Sequence, residues 1–174
     1  MVTQQATLES PTIPSVSEDG FTYIDVDHLP VDEKYVPKYK TKEAACVDLV
    51  ARIPRDPISG QTKAVLSNRN GAKIATGMTV AIPKGWKICI AAKSGLAERG
   101  LVCTNAPAQI DSDYRGEISV LAISLGREII EINDGERFAQ AWIEPAYRIR
   151  WNQKDTLPET ERGSGGFGST GIQA

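Results

Sequence analysis

Residues 79–91 read TVAIPKGWKICIA, two short apolar runs separated by the turn residues Pro-Lys-Gly. In the second run Trp86, Ile88 and Ile90 alternate with smaller or charged residues, which is the period of two that a half-buried β-strand shows. We therefore predict two strands joined by a turn at residues 83–85.

The same pattern of short strands continues on both sides of this stretch. Residues 133–135, Asn-Asp-Gly, predict a hairpin-type turn. Only residues 94–100 are predicted to form a helix, with Ser94 as its cap and a glycine as its stop. Many short strands without helix–strand alternation predict an all-β fold: a sandwich, a jelly roll or a small barrel. The further strands are predicted at residues 21–26, 117–125, 129–132, 138–143 and 147–151.

The composition is that of an ordinary globular protein. The chain has 174 residues with 20 Lys+Arg, 22 Asp+Glu and a formal net charge of -2, and 41% of its residues are hydrophobic. One domain is therefore expected. The near-zero charge argues against direct nucleic-acid binding, which usually needs a basic stripe. No apolar run approaches the roughly 18 residues that a membrane-spanning helix needs.

The cysteines and the N-terminus bear on cellular location. Cys46, Cys89 and Cys103 lie far apart with no CxxC pair, so we expect neither a disulfide framework nor a structural zinc site. The N-terminus has neither the basic start nor the apolar run of a secretory signal. We expect a protein that is not secreted and works in the cytoplasm, or in the nucleus or host-cell interior if it is viral.

Three regions are predicted along the chain. They are a flexible extension at residues 1–20, a β domain at residues 21–151 and a flexible C-terminal arm at residues 152–174. The segment Asp56–Gly71 is polar and rich in turn residues, so we interpret it as a surface hairpin or loop. This segment is also a candidate contact for an additional protein partner.

The arm contains the glycine-rich segment RGSGGFGSTG at residues 162–171. It formally satisfies GxGxxG, but no strand-to-helix context follows, so it is not a dinucleotide fingerprint. Glycines let backbone N–H groups approach phosphate oxygens, Arg162 supplies charge, and the Phe167 ring can cover a base. The segment therefore indicates either an inert tail or a lid that closes on a nucleotide.

Two acidic residues stand out in other segments. Residues 105–116 read NAPAQIDSDYRG, and Asp111 on a stiff hairpin could activate a water, although a charged hairpin tip is the plainer interpretation. Asp48 lies in an apolar stretch, which fits either a buried, paired carboxylate or one that contacts a magnesium-bound water.

Polar residues mark the two remaining segments. Lys93, Ser94 and Gly95 open the predicted helix, which indicates either an anion site or a plain helix cap. Gln140 lies between apolar neighbours and by itself is typical of an edge strand. Each segment alone favours the simpler interpretation, and it is their combination and order that point to function.

Taken in chain order, the five segments resemble the motifs of the homotrimeric all-β dUTPases, the deoxyuridine triphosphate nucleotidohydrolases. The resemblance implies a jelly-roll or β-clip fold and a homotrimer whose three active sites are each built from all three chains. It also implies Mg2+-dependent hydrolysis of dUTP to dUMP and pyrophosphate, which limits uracil incorporation into DNA and supplies dUMP for dTMP synthesis. The segments are AACVDLVA at 44–51, AKSGLAERG at 92–100, NAPAQIDSDYRGEI at 105–118, GERFAQAWIEP at 135–145 and RGSGGFGSTG at 162–171.

The resemblance also assigns roles to individual residues. Asp111 matches the carboxylate that orients and deprotonates the attacking water, and Asp48 matches the acid that contacts Mg2+ through water. Tyr114 matches the ring that packs on deoxyribose and leaves no space for a 2′-hydroxyl. The other substrate-binding positions are Lys93, Ser94, Gly95 and Gln140 at the phosphates, Asn105, Gln109 and Ile110 at uracil, and Arg162, Phe167, Gly168, Ser169 and Thr170 in the closing arm.

Three positions depart from the residues that are usual in this family. Lys93 stands where arginine is usual, which keeps the charge but loses the bidentate fork. Cys46 and Ala108 stand where glycine is usual, and Ala108 lies beside the uracil hairpin. Two other functions stay open: a related deaminase acting on dCTP, which the glycine-rich arm disfavours, and a trimeric nucleotide-binding protein without catalysis.

Overall fold

The structure is a computed structural model that describes residues 15–167. Within them it contains ten β-strands, one short α-helix and one 3₁₀ turn at Glu33–Tyr35. In chain order the strands and the helix are β1 (Asp27–His28), β2 (Val47–Val50), β3 (Lys63–Leu66), β4 (Ala72–Ala81), β5 (Trp86–Ala92), α1 (Ser94–Glu98), β6 (Leu101–Cys103), β7 (Ala108–Ile110), β8 (Glu117–Ser124), β9 (Ile130–Asn133) and β10 (Arg137–Pro145).

The strands form three antiparallel sheets around one core. The first sheet has the order β1-β4-β8-β6, the second has the order β2-β10-β5-β7, and β3 pairs with β9 in the third. Alternate residues of each strand point inward, so that Ile74 and Val120 of the first sheet share a core with Ile90 and Phe138 of the second and Ile130 of the third. The predicted all-β fold is confirmed.

The predicted strands on either side of residues 83–85 are confirmed. β4 ends at Ala81 and β5 begins at Trp86, and the Trp86 N–H donates to the Pro83 carbonyl oxygen at 3.1 Å. The strands predicted from residue 117 onward, up to residue 143, correspond to β8, β9 and β10. The predictions therefore located β5, β8, β10 and the end of β4, whereas the other strands of the two larger sheets, β1, β2, β6 and β7, were not predicted.

The predicted helix is confirmed as α1, but Ser94 is not its cap. Lys93 occupies the cap position, and no side chain hydrogen-bonds there. Beyond the helix Gly100 has φ +101°, and a Cβ at this position would lie 2.3 Å from the Gly126 nitrogen, so only glycine fits. Among residues 15–167 no helix combines the length and apolar character needed to cross a membrane.

Two predicted strands are absent from the structure. Residues 21–26 lie before β1 without strand pairing, and residues 147–151 form no strand. Tyr147, Ile149 and Trp151 alternate with arginines as expected, yet they are between 73% and 86% exposed. Both predictions are wrong because alternating side chains form a strand only where a sheet edge is available to pair with them.

The prediction of a surface hairpin or loop at Asp56–Gly71 is wrong for part of the segment. β3 lies inside it and pairs with β9, with Leu66 opposite Ile130, and Leu66 is fully buried. A short strand with one core residue is too brief for periodicity to reveal. The remainder includes an exposed turn at residues 56–61, and contact with another protein remains a prediction.

Residues 133–135 form the predicted turn, but the turn does not close a hairpin. Gly135 has φ +84°, and the Glu136 N–H donates to the Asn133 carbonyl oxygen at 3.1 Å. The strand before the turn pairs with β3, whereas the strand after it pairs with β2 and β5. The turn therefore carries the chain from one sheet to another.

We expect Leu66→Ala to lower the free energy of unfolding by about 2–5 kcal/mol, because it removes a fully buried side chain and leaves a cavity. Ile58→Ala in the same segment is the matched control, since Ile58 is 95% exposed and its truncation should change stability by less than about 0.5 kcal/mol. Urea denaturation at equal chain concentration measures both. Equal effects of the two substitutions would contradict the placement of β3 in the core.

Candidate active site

A cavity of about 310 Å³ lies between the third segment and the outer face of β4 and β8. The predicted hairpin is wrong, because β7 pairs with β5 whereas β8 pairs with β4 and β6, but the residues predicted to bind uracil and deoxyribose and the predicted water-activating carboxylate line one wall together. These residues are Asn105, Gln109, Ile110, Asp111 and Tyr114.

Sequence reasoning missed the opposite wall of this cavity, which is formed by Lys73, Ser119 and Leu121. Lys73 lies opposite Leu121 in the β4–β8 ladder, and Ser119 follows on the same face of β8. The alternation of β8 was a usable signal, because it separates these outward residues from the buried ones. The alternation could not reveal that the third segment lies over these outward residues.

Strand pairing fixes the position of Asp111. β7 pairs with β5, with Ile110 opposite Ile88, and Asp111 is the next residue in the chain. The Tyr114 N–H donates to the Asp111 carbonyl oxygen at 3.1 Å, which tightens the turn. The Asp111 side chain is therefore exposed at the end of a paired strand and beside the cavity.

A second group of side chains surrounds Asp48. This carboxylate is 7% exposed, with the Lys93 Nζ at 2.5 Å from one oxygen and the Arg137 Nη1 at 2.8 Å from the other. Burial by itself would raise the pKa of Asp48, but hydrogen bonds and charges from Lys93 and Arg137 outweigh burial and hold the pKa below its usual value. One anion between two cations leaves a net positive charge at this place.

The segments that contribute to this charged group converge through the second sheet. Gln140 of β10 lies opposite Asp48 of β2 on one side and Ala91 of β5 on the other. Lys93 follows β5, and its N–H donates to the Phe138 carbonyl oxygen at 3.3 Å. Arg137 was not among the predicted site residues, although it lies in the fourth segment. Ser94 and Gly95 are exposed beside Lys93 at the start of α1.

The charged group and the cavity are separate within one chain. The order β2-β10-β5-β7 places Asp48 on one edge strand and Asp111 just beyond the other. Three strand spacings, or about 14 Å, separate these two strands across the sheet. One chain therefore holds two half-sites rather than one continuous site.

The described part of the arm does not cover either half-site. Residues 152–167 contain no helix or strand, the Arg162 Nε donates to the Gly165 carbonyl oxygen at 2.9 Å, and the Phe167 ring is fully exposed. The predicted positions Gly168, Ser169 and Thr170 lie outside the described residues. Closure of the arm over a nucleotide remains a prediction.

The donor groups bear on how a metal ion would be held. Among the described residues no three His, Cys, Asp or Glu side chains cluster closely enough to hold a metal by themselves. Both Asp48 oxygens already accept bonds from cations. Mg2+ usually keeps several waters and binds through substrate phosphates with one or two carboxylates. The chain therefore fits Mg2+ that arrives with a nucleotide and not a preformed protein cage.

Comparison with known proteins identifies the family of this chain. The family model described as dUTPase matches residues 32–171, which is most of the chain. The chain belongs to the dUTPase family. The deoxyuridine 5'-triphosphate nucleotidohydrolase of Treponema denticola is 45% identical over 138 residues, covering 79% of this chain and 91% of that dUTPase. The one from Desulfotalea psychrophila is 42% identical over 138 residues, covering 79% and 87%.

Solved dUTPase structures share the fold. The dUTPase of Staphylococcus bacteriophage 80alpha with dUPNHPP matches with a TM-score of 0.67 at 22% identity, covering 85% of this chain and 99% of that one. A mutant dUTPase from phage phi11 of S. aureus, in which a structural Mg(II) ion is coordinated, matches with a TM-score of 0.61 at 19% identity, covering 76% and 98%. At these identities the structures support the fold alone.

We expect Asp48→Asn to lower the free energy of unfolding by about 1–3 kcal/mol at neutral pH, because Lys93 and Arg137 lose the charge that they share. The folded pKa of Asp48 lies below the unfolded value of about 3.9. Its stabilising contribution is therefore complete above that value and disappears as the pH falls through the folded pKa.

Urea denaturation of the wild type and of Asp48→Asn from pH 7 down to acid tests this expectation. The difference between the two proteins should shrink as the pH falls below about 4. Asp25→Asn, which changes a carboxylate for which the structure gives no cation partner among the described residues, serves as the control. A difference for Asp48→Asn that is the same at every pH would contradict the ion-pair assignment.

Proposed function

We propose that this member of the dUTPase family hydrolyses dUTP to dUMP and pyrophosphate by attack of water on the α-phosphate. The main observation in support of this proposal is the cavity beside the third segment. The proposed base-binding residues, the proposed sugar-binding ring and an exposed carboxylate line it together. Since dUTP is an intracellular nucleotide, we expect the reaction to take place inside the cell.

In this proposal Asp111 orients the attacking water and accepts its proton. Transfer of a phosphoryl group to water needs little covalent help from the protein, but it needs alignment and neutralisation of charge. A carboxylate at the end of a paired strand supplies alignment, because the β5–β7 ladder restricts its backbone. The exposed Asp111 side chain is accessible to water at the cavity mouth.

The charged group around Asp48 is proposed to bind the phosphate end of the nucleotide. Lys93, Arg137 and Gln140 supply cationic and amide donors there, and Ser94 and Gly95 add a hydroxyl and an accessible backbone. Mg2+ bound to the triphosphate would neutralise phosphate charge, with Asp48 contacting it through water. Lys93 and Arg137 keep Asp48 ionised and restrict its orientation.

Selectivity for uracil and for deoxyribose is proposed to come from the third segment. Asn105, Gln109 and Ile110 would surround uracil, largely through backbone groups, and the Tyr114 ring would pack on deoxyribose and leave no room for a 2′-hydroxyl. The Lys87 Nζ binds the Gln109 side-chain oxygen at 3.1 Å, which steadies the strand that carries this pocket. Steric exclusion of a 2′-hydroxyl requires only that the Tyr114 ring keeps its position.

A homotrimer is proposed because one chain separates its two half-sites. Asp48 and Asp111 lie at opposite edges of the second sheet and in two separate cavities, and in a trimer neighbouring copies would bring the third segment of one chain to the charged group of another. The arm, with Arg162, Phe167, Gly168, Ser169 and Thr170, would complete the site, Phe167 over the base and the others near the phosphates.

We expect Asp111→Asn to reduce turnover of dUTP by at least several hundredfold while dUTP still binds, since an amide cannot accept the proton from water. Asp113→Asn, which changes the neighbouring exposed carboxylate, should retain turnover within several-fold. Pyrophosphate release with Mg2+ and binding of a non-hydrolysable dUTP analogue measure the two properties. Retained activity in Asp111→Asn would exclude this residue as the base.

We expect a chain that ends at Glu161 to fold and sediment as a trimer but to release little pyrophosphate from dUTP. The truncation removes the glycine-rich segment, and no strand of the described fold lies beyond Pro145. Sedimentation and pyrophosphate release by the full and shortened chains test this. Full activity of the shortened chain would show that the arm is dispensable, and a monomeric full chain would contradict the shared site.

A further inference from the structure

Arg52 and Glu117 form a bidentate ion pair at the end of the third segment, where β8 begins. The Arg52 Nε donates to one Glu117 carboxylate oxygen at 2.9 Å, and the Nη2 donates to the other at 2.6 Å. The Gly77 N–H also donates to this carboxylate at 2.6 Å. The Arg52 guanidinium is the main reason that the pKa of Glu117 lies below its usual value, so the pair is charged at neutral pH.

This ion pair reinforces an irregular part of the strand ladder. The β4–β8 pairing shifts register between Ala75 and Thr79 and resumes where Thr79 lies opposite Glu117. Gly77 lies inside the irregularity with φ +78°. The backbone N–H of Arg52 donates to the Ala75 carbonyl oxygen at 2.8 Å, which ties Arg52 to the same stretch. Side-chain bonds to Glu117 therefore act together with its pairing to Thr79 to fix the first residue of β8.

Glu117 in turn holds the ring of Tyr114. The Tyr114 hydroxyl donates to the Glu117 carbonyl oxygen at 3.2 Å. The ring lies back over Gly116, where an added Cβ would displace it. The ring is 43% exposed and lines the cavity, and packing alone does not restrain it. Its orientation depends on where Glu117 lies.

We propose that Arg52 and Glu117 are positioning residues that hold the Tyr114 ring where it discriminates deoxyribose from ribose. This inference rests on the proposed function, because it assigns the sugar selectivity of the same site. Exclusion of a 2′-hydroxyl by contact is only as strong as the resistance of the ring to displacement. A shift of about 1 Å changes such discrimination substantially. Arg52 contributes through Glu117 and not by contact with the nucleotide.

The test compares kcat/KM for dUTP and for UTP, with Mg2+, in Arg52→Met and Arg52→Lys. Arg52→Met removes the ion pair and should raise the UTP/dUTP ratio of kcat/KM about tenfold. Arg52→Lys keeps the charge without the fork and should raise the ratio less. A purely structural role would lower activity on both nucleotides equally and leave their ratio unchanged.

Two further variants show whether the effect passes through the tyrosine. Tyr114→Phe removes the hydroxyl bond to Glu117 and should raise the ratio by itself, and adding Arg52→Met to it should have little further effect. Lys63→Met breaks the Lys63–Glu131 pair, 2.6 Å long and situated between β3 and β9, and should leave the ratio unchanged.

The outcomes separate this inference from the proposed function. If the wild type does not hydrolyse dUTP, the proposed function is wrong. If the wild type is active and the ratio for Arg52→Met equals that of Lys63→Met, the inference alone is wrong. Should Arg52→Met fail to fold, an unchanged ratio in both Arg52→Lys and Tyr114→Phe would overturn it equally.

Discussion

The pairing of β5 with a strand on each side is the constraint on which both half-sites depend. On one side β10 aligns with β5, and the chain leaves β5 at Lys93 within contact of Asp48. On the other side β7 aligns with β5, and the chain leaves this edge at Asp111. A slip of one residue in either ladder would turn these side chains to the opposite face. Ile90 and Cys89 are both almost completely buried, so a slip of β5 would exchange their faces and disrupt the packing on both sides.

The fold was predictable from the sequence where a strand is long, apolar and bounded by turn residues. β5 was recognised from its alternating side chains, although Cys89 and Ile90 are both buried, and β8 was recognised from its apolar composition. The same signal failed at residues 147–151, because alternation describes the side chains and not the presence of a neighbouring strand. It also failed at β3, where Ala64, Val65 and Leu66 are consecutive apolar residues without alternation and only Leu66 is fully buried. Local pattern cannot supply information that resides in tertiary pairing.

Predictability of the site divides in the same way. The residue types and order of the five segments indicate a nucleotide site. The cavity beside the third segment is lined by the residues that were predicted to bind uracil and deoxyribose and by Asp111. The partners of Asp48 were not predictable, because the approach of Lys93 and Arg137 depends on the register of two ladders. Of the two interpretations left open for Asp48, the structure shows the buried, paired carboxylate directly. A contact to Mg2+ through water remains a proposal.

Lysine at position 93 changes how the charge around Asp48 is distributed. A bidentate arginine would occupy both carboxylate oxygens, whereas the Lys93 ammonium takes one and leaves the other to Arg137. An ammonium has more donors than its single bond to Asp48 uses, and the Arg137 guanidinium likewise keeps most of its own. The group therefore retains both a net positive charge and free N–H donors, which is the combination that binding a phosphate requires. In the proposed function, Asp48 would hold these two cations in place for the phosphates, besides its contact to Mg2+ through water.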